Sequence, residues 1–370
     1  MGNSWSTVDK LLRGCSRRNS KAKRKPSGSS RSGSATKGMG FTITTPIHAD
    51  TVTCLAAFRS GFVLSGSADK TVALSNYEGG DVVRRWNGHS DSITKIVYSG
   101  IPCNQYLLSG SRDATIKLWN FISNDPVQTF DGHEMTVTGV SLTDDVNKFC
   151  SGSRDNSIKL WDIETGASAG SASIAQNVVT HMVYSTAMKV LAQTGEDTEL
   201  KLWDIRSMEL VHTFPKQQHF QLYCDVDSTG RYCLTSSSGF NSQGCQLSLW
   251  DLRQRCFVRD FVGHEASVNC AIFLPPQKQI PTVTNNLLLS VSTDHTVKLW
   301  DMLTGECLST LSVPSGGVLT SACANTDGSI IVGGMHACLA HITTMLVRGR
   351  VSLTPQTMQF TPTNASEQII

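Results

Sequence analysis

One short string recurs five times along the chain and decides its fold: Lys117-Leu118-Trp119-Asn120, Lys159-Leu160-Trp161-Asp162, Lys201-Leu202-Trp203-Asp204, Ser248-Leu249-Trp250-Asp251 and Lys298-Leu299-Trp300-Asp301. The tryptophans of consecutive strings are 42, 42, 47 and 50 residues apart. Self-similarity at a period of about 40–50 residues is typical of proteins built from stacked structural units. The string therefore predicts one equivalent strand in each unit of a repeat array.

Two further units lack the tryptophan. Ser75 lies 44 residues before Trp119 and His341 lies 41 residues after Trp300, and both positions follow apolar runs like those of the other units. From Phe41 onward, short apolar runs alternate with clusters of Gly, Asp, Asn and Ser, which is typical of an all-β chain. No long stretch has the helical period. The sequence thus predicts seven all-β units.

These units resemble those of the WD-repeat β-propeller family, which end in Trp-Asp and open with Gly-His. Gly88-His89, Gly132-His133 and Gly263-His264 supply the opening. The resemblance implies a seven-bladed WD-repeat β-propeller over residues 41–345, with residues 1–40 as a disordered basic arm and 346–370 as a C-terminal tail. We expect a Phe41–Thr45 strand to pair with the last blade, because a closed ring removes exposed strand edges.

The resemblance also implies a hydrogen-bonded set of His, Ser, Asp and Trp within a blade. A buried carboxylate must be paired, and an imidazole between it and a hydroxyl, with an indole N–H donating to that hydroxyl, satisfies every group. In three units the Asp follows the Ser by four residues and precedes the Trp by six. These sets are His89, Ser109, Asp113 and Trp119; His133, Ser151, Asp155 and Trp161; and His264, Ser290, Asp294 and Trp300.

Other units depart from this set. The replacements are Ser75 for Trp in unit one, Ala175 for His and Gln193 for Ser in unit four, and Gly244 for Asp in unit five. We expect blades one and four to be held more loosely as a result. Unit five has an enlarged turn at Ser237–Gly244, and unit six has an enlarged loop at Pro275–Asn286. Long loops on a rigid scaffold are usual places for binding, although tolerance of insertion is an equal alternative.

We predict no enzymatic activity, cofactor or metal site. Ser, His and Asp also form hydrolase triads, but a set that recurs in blade after blade has no single exposed nucleophile, and no G-x-S-x-G elbow is present. The sequence contains no H-E-x-x-H motif, no phosphate-binding glycine loop, and none of the paired short Cys or His spacings that zinc requires. The 12 cysteines form no C-x-x-C pair, and we expect free thiols in a cytoplasmic protein.

The overall net charge of +2 conceals an asymmetry. Residues 1–40 hold ten Lys or Arg residues against Asp9, whereas the remainder of the chain is net acidic. Gly2 lies in an M-G-x-x-x-[ST] pattern, which predicts N-myristoylation, and Cys15 is a candidate for palmitoylation. One acyl chain binds membranes only marginally, so the basic residues would supply the second attraction to an anionic surface.

Alternatives for the arm remain open. Lys21–Lys25 also resembles a nuclear localisation signal, and a solvated basic tail would explain the composition equally well. We expect residues 2–25 to contact an anionic membrane. Nucleic-acid binding is not expected, because the arm contains one aromatic residue and the propeller is net acidic.

We expect protein partners at one face of the propeller. The loops that enter the first strand of each blade and those between its second and third strands share a face, which predicts a partner surface of Arg112, Arg154, Glu134, Met135, Glu196, Glu265 and Thr293. Arg112 and Arg154 would form a fork for a carboxylate or phosphate, since guanidinium binds such groups through two hydrogen bonds. In the alternative, these arginines pair with nearby acids such as Glu134.

The predicted function is a non-catalytic protein-interaction scaffold. Gln176–His181, His219–Cys224 and Ser236–Cys245 resemble one intracellular member of the family more than the general repeat requires, which implies a scaffold connected with cilia. The alternative function rests on Trp203–Arg206 and Trp250–Arg253. These endings resemble those of substrate receptors of cullin-4 ubiquitin ligases, in which the arginine meets an adaptor, although a local salt bridge would also explain them.

Overall fold

A computed structural model describes residues 47–101, 105–276, 286–313, 317–337, 339–347 and 350–356. These residues form 28 strands in seven antiparallel sheets of four, and each sheet uses four strands that are consecutive in the chain. The innermost strands of neighbouring sheets contact one another in order, and the first and last sheets also contact each other. The architecture is therefore a seven-bladed propeller, as the sequence predicted.

The strands of each blade run from the centre outward. Blades one to three consist of β1 (Val52–Arg59), β2 (Phe62–Ser67), β3 (Thr71–Asn76) and β4 (Asp81–Asn87); β5 (Ile93–Ser99), β6 (Tyr106–Ser111), β7 (Ile116–Trp119) and β8 (Gln128–Phe130); and β9 (Val137–Leu142), β10 (Lys148–Ser153), β11 (Ser157–Asp162) and β12 (Ser168–Ser173). Blades four and five consist of β13 (Val179–Ser185), β14 (Val190–Gly195), β15 (Leu200–Asp204) and β16 (Glu209–Thr213); and β17 (Gln221–Val226), β18 (Tyr232–Ser237), β19 (Gln246–Asp251) and β20 (Cys256–Val262). Blades six and seven consist of β21 (Val268–Phe273), β22 (Leu287–Ser292), β23 (Thr296–Asp301) and β24 (Cys307–Ser312); and β25 (Leu319–Ala324), β26 (Ser329–Gly334), β27 (Leu339–Val347) and β28 (Arg350–Gln356).

Burial decreases from the middle of a blade to its outer edge. All six residues of β6 and of β22 are buried, because both faces of these strands pack against neighbouring blades. The outer strand β12, by contrast, alternates between exposed and half-buried residues. The apolar clusters lie between blades: Trp119 of blade two, for example, packs with Leu64 of blade one. Burying an apolar side chain of this size contributes about 1.5–3 kcal/mol, so the interfaces between blades form the core.

An inner ring of donors joins the blades around the channel. In six blades, the side chain of the second residue of the innermost strand donates a hydrogen bond to the next blade. The acceptor is the backbone carbonyl of the first residue in the innermost strand of that next blade. The donors are Thr53, Thr94, Thr138, Thr180, Asn269 and Thr320, and the first five bonds measure 2.5–2.6 Å. Blade five has Leu222 at this position. All six bonds run in the same direction, and the bond from Thr320 to Val52 closes the ring.

The closing of the ring differs from the sequence-based expectation. The outer strand of blade seven is β28, which pairs with β27, and Val351 and Leu353 are buried against blade six. The propeller therefore extends to Gln356, and the boundary expected at residue 345 was wrong. The segment had been assigned to a tail because it lacks the Trp-Asp string. The Phe41–Thr45 strand that we expect to pair with the last blade lies outside the described residues.

Several sequence-based predictions concern residues that the structure does not describe. Residues 1–40, with Gly2 and Cys15, belong to this group, as does most of the Pro275–Asn286 loop. In the described ranges, no helix has the length and apolar character needed to cross a lipid bilayer.

Candidate functional site: the blade networks and the upper face

Three blades contain the same chain of side-chain hydrogen bonds. In blade three, His133 Nδ1 lies 2.8 Å from Asp155 Oδ2 and its Nε2 lies 2.7 Å from Ser151 Oγ, to which Trp161 Nε1 donates at 2.7 Å. The corresponding distances in blades two and six are 2.7–2.9 Å. Each network links the loop that enters a blade to the turn between its second and third strands.

Asp155 is the centre of the blade-three network. Burial alone would raise its pKa, but hydrogen bonds from Ser157, from the Glu134 backbone N–H and from His133 outweigh burial and lower it below the usual range. Burial also lowers the pKa of His133, despite the neighbouring carboxylate. The pair therefore consists of a charged carboxylate and an imidazole that is neutral at pH 7. It holds two loops together and leaves no exposed nucleophile.

Gly132 precedes His133 for a steric reason. Its φ of +145° is a conformation that other residues rarely adopt. A Cβ at this position would lie 3.2 Å from Cη2 of Trp161. The Gly-His opening therefore lets the chain pass close to the tryptophan that ends the same unit.

Blade four replaces the network rather than losing it. Asn177, two residues after the position assigned to histidine, exchanges two amide hydrogen bonds of 3.1 and 2.9 Å with Gln193. Trp203 Nε1 donates to Gln193 Oε1 at 2.9 Å. Both amides are buried, so their hydrogen-bonding groups would be costly to leave unpaired. The sequence analysis missed Asn177 because it sought a histidine at a fixed spacing.

The other departures are accommodated differently. In blade one, His48 keeps its contacts with Asp69 and Ser65 at 3.0 and 2.8 Å, but Ser75 Oγ is buried without a partner. In blade five, Trp250 Nε1 donates to Thr235, 15 residues earlier rather than the usual 10. This spacing places a five-residue insertion in the turn after β18.

The propeller has an upper face that the backbone defines in every blade. At the start of each turn between the second and third strands, one backbone N–H donates to the carbonyl of the residue just before the innermost strand. The seven donors are Ala68, Arg112, Arg154, Glu196, Ser238, Thr293 and Met335. The upper face thus contains the predicted partner residues, since Glu134, Met135 and Glu265 lie in the entering loops.

The two arginines of the upper face differ in their contacts. Arg154 pairs with Glu196 of the next blade, with Nη2 and Oε1 2.7 Å apart. Arg112 is exposed, and its guanidinium pairs with no other described residue. Neither arginine pairs with Glu134, so the alternative expectation that they pair with this acid is wrong. Arg154 is already engaged, which leaves Arg112 as the available cation of the expected fork.

Large apolar side chains are exposed on the same face. Met135, Phe220 and Met335 are each about half exposed, and Phe240 is 76% exposed. Phe240 lies in the enlarged turn of blade five, where its backbone pairs with that of Gln243 in a small hairpin. A phenylalanine held in this way presents an apolar ring to solvent, which is a feature of protein-binding surfaces.

Arg206 and Arg253 lie on the opposite, lower face, where the third strands end. Each backbone N–H donates to the Asp two residues earlier, at 2.9 Å. Both side chains are exposed, and neither guanidinium forms an ion pair with a described residue. The local salt bridge weighed as the alternative is therefore absent from the described part of the chain, while Arg253 donates weakly to the Thr229 carbonyl.

Nine cysteines among the described residues are free thiols, and Cys256 and Cys307 are the two of these that are exposed. Among the described His, Cys, Asp and Glu residues, no group of three is arranged to hold a metal ion.

Seven four-stranded blades around a channel, with His–Ser–Asp–Trp networks in three of them, define the class of WD-type β-propellers. The model of the WD domain, G-beta repeat, matches residues 41–74, 80–120, 124–162 and 255–301. These four segments are accordingly similar to WD repeats. The matched segments fall in blades one, two, three and six, which are the blades with a His–Ser–Asp arrangement.

Similarity to curated proteins is limited to part of each chain. The chain is 30% identical over 117 residues to the nuclear distribution protein nudF of Aspergillus niger, which is 31% of this chain and 24% of that protein. It is 33% identical over 75 residues to the nuclear distribution protein PAC1-2 of Uncinocarpus reesii, which is 20% and 16% of the two chains. The matches thus span a quarter or less of these relatives.

Proposed function

We propose that the chain is a non-catalytic scaffold that binds other proteins through its upper face. The observation that carries this proposal is Phe240, which is 76% exposed on a structured turn of the upper face. Arg112 adds to this face a cation that pairs with no residue in the described ranges, so a partner segment with both apolar and acidic side chains would suit it. WD-repeat propellers typically act in this way, and the matched relatives share only the repeat.

The test compares partner proteins recovered with variants of the two faces. Phe240→Ser combined with Arg112→Ala should retain the fold and lose the partners that the wild type recovers. Arg154→Ala, which breaks the pair with Glu196, should weaken binding less. Arg206→Ala combined with Arg253→Ala is the matched control on the lower face. If the lower-face variant alone loses partners, the upper-face proposal is wrong.

A ligase substrate receptor is the second candidate function. Two exposed arginines at equivalent positions of consecutive blades, neither in an ion pair with a described residue, favour it. In this proposal Arg206 and Arg253 contact the adaptor of a cullin-4 ligase while the upper face holds the substrate. The double arginine variant should then lose the adaptor and keep upper-face partners. Retention of the adaptor would end this candidate.

Attachment to a membrane and to cilia is also a proposal. Gly2, Cys15 and the basic residues of 2–25 support membrane attachment by composition alone. The likeness to WD repeat-containing protein 31 in Gln176–His181, His219–Cys224 and Ser236–Cys245 supports a ciliary location. Gly2→Ala should move the protein from membrane to soluble fractions, with Asn3→Ala as the matched control. Unchanged fractionation of Gly2→Ala would contradict lipid anchoring.

A further inference from the structure

A layer of seven residues surrounds the channel one residue beyond the inner ring of donors. Each is the third residue of an innermost strand: Cys54, Lys95, Gly139, His181, Tyr223, Cys270 and Ser321. Lys95 is half-buried there, and lysine is unusual in such a place, since removing an ammonium group even partly from water without a counterion is costly. The layer therefore raises the question of what neutralises or uses Lys95.

Three members of the channel layer meet across the axis although they belong to different blades. Lys95 Nζ of blade two lies 2.5 Å from His181 Nε2 of blade four and 3.4 Å from the Tyr223 hydroxyl of blade five. The same amine lies 4.8 Å from the centre of the Tyr223 ring. The rings of His181 and Tyr223 stack, with centroids 3.8 Å apart. The amine is thus positioned by two aromatic groups.

No described carboxylate forms an ion pair with Lys95. The nearby Asp225 accepts hydrogen bonds from the backbone N–H groups of Phe273 and Val226, and burial raises its pKa to about 6. Burial lowers the pKa of Lys95. Burial, and then the Lys95 charge, hold the pKa of His181 well below its usual range. The surroundings therefore favour the neutral amine more than water does.

The remaining groups that face Lys95 do not supply a negative charge at pH 7. Burial raises the pKa of Cys54 and of Cys270 to about 11, that of Cys224 to about 12, and that of Tyr223 well above its usual value. The titratable groups around the amine are therefore Cys54, His181, Tyr223, Cys224, Asp225 and Cys270. All but Asp225 are neutral at this pH.

We propose that Lys95 is an amine nucleophile that binds small aldehydes or ketones in the channel as imines. Lysines buried among apolar or neutral groups are activated in this way in enzymes that form Schiff bases. The nitrogen lone pair forms a bond to the carbonyl carbon, the π electrons of the C=O bond move to the oxygen, and one proton passes from the nitrogen to that oxygen. The resulting hydroxyl takes up a second proton and leaves as water while the nitrogen lone pair forms the C=N bond, and the nitrogen loses its remaining proton. His181 and the Tyr223 hydroxyl relay these protons and end without a net gain or loss.

Site-resolved reductive methylation tests this inference on the folded protein. Formaldehyde forms an imine, and sodium cyanoborohydride reduces it by hydride transfer to a methylamine that peptide mass spectrometry assigns to each lysine. Lys189 and Lys216, with side chains 57% and 71% exposed, are internal references. Each unit by which the pKa of an amine falls raises its neutral fraction about tenfold at pH 7. Because its pKa is lowered, Lys95 should react faster than both references.

Further outcomes separate reactivity from simple exposure. At each pH between 6.5 and 8, Lys95 should react faster than the references, because a lower pKa leaves more of its amine neutral. Tyr223→Phe should slow Lys95 and leave Lys189 unchanged, and Lys95→Arg should remove the fast site while thermal unfolding reports its fold. A Lys95 rate equal to or below the references, or labelling only after denaturation, would overturn the inference.

Discussion

At the scale of single residues, the aspartates of the blade networks each accept several hydrogen bonds. Asp155 accepts hydrogen bonds from His133, from the hydroxyl and backbone of Ser157, and from the Glu134 backbone. The sequence alone located this residue, because the spacing from Ser151 and to Trp161 is fixed by the hairpin between them. The sequence could not locate Asn177 in blade four. There the amides of Asn177 and Gln193 bond to each other and to Trp203, and Asn177 lies two residues after the position expected for histidine.

We predict that Asp155→Ala destabilises the protein by about 1–3 kcal/mol, because it leaves the buried donors of His133 and Ser157 unpaired. Denaturant unfolding measures this difference. The exposed neighbour Glu134, whose side chain makes no hydrogen bond to a described residue, is the control: Glu134→Ala should change stability by less than about 0.5 kcal/mol. Equal stability of the two variants would contradict the role assigned to Asp155.

The pH dependence of stability follows from the same carboxylates. The pKa values of Asp113, Asp155 and Asp294 are lowered in the folded state, where hydrogen bonds outweigh burial. Unfolded aspartate has a pKa of about 3.9, so the unfolded chain binds more protons as the solution is acidified. The stabilisation is therefore complete above about pH 5 and is lost as pH falls through the folded-state pKa. Unfolding at pH 5 and pH 3 should show this loss, and Asp155→Asn should reduce it.

A strained turn residue gives a prediction of opposite sign. Thr198 has a φ of +69°, a conformation that β-branched residues disfavour, whereas Asn156 occupies the equivalent turn of blade three with a φ of +67°. We predict that Thr198→Asn stabilises the protein by about 0.5–1 kcal/mol, since asparagine tolerates this conformation. The reciprocal Asn156→Thr should destabilise it, because threonine disfavours the φ of +67° at this position. No hydrogen bond of the Asn156 side-chain oxygen with a described residue would be lost in this variant. Thermal unfolding of both variants checks the pair.

At the scale of elements, the innermost strands are joined by side chains rather than by sheet pairing. Each blade is a separate sheet, so the bond from Thr138 to the Val179 carbonyl spans two sheets. The sequence contained the signal, a threonine or asparagine in second position of six strands. The role could not be predicted because it depends on the distance between neighbouring blades.

We predict that Thr138→Val weakens the propeller by about 0.5–1.5 kcal/mol, since the valine keeps the shape and removes the hydrogen bond. Thr138→Ser keeps the hydroxyl and is the matched control. Hydrogen exchange should show faster opening of β9 and β13 in the valine variant than in the serine variant. Identical exchange in the two variants would show that the hydrogen bond of Thr138 contributes nothing to the contact between blades three and four.

At the scale of the whole molecule, the number of blades could be predicted and the closing of the ring could not. Seven units follow from a string that each blade repeats, even where Ser75 or His341 replaces its tryptophan. The outer strand of blade seven, Arg350–Gln356, carries no such string, and it is identified only by its pairing with β27 and its contact with blade six. Leu353 donates its backbone N–H to Ser309 Oγ of that blade at 3.2 Å.

We predict that a chain ending at Val347 is destabilised by about 3–6 kcal/mol, because it loses the buried side chains of Val351 and Leu353 at about 1.5–3 kcal/mol each. A chain ending at Gln356 is the control and should unfold like the full-length protein. Denaturant unfolding compares the three. If both truncations are equally stable, the last strand contributes nothing to the propeller.

The consecutive arrangement of strands within each blade bears on the synthesis of the protein. Blade one has all four of its strands once residue 87 has left the ribosome, and it needs no later segment to complete its sheet. Its neighbour in blade seven begins to arrive about 230 residues later, since Thr320 follows Asn87 by 233 residues. At about 5–20 residues per second, translation leaves this surface uncovered for tens of seconds. Val63, Ala73 and Tyr77, which pack there against Ile331, are then apolar surface that a nascent-chain chaperone would shield.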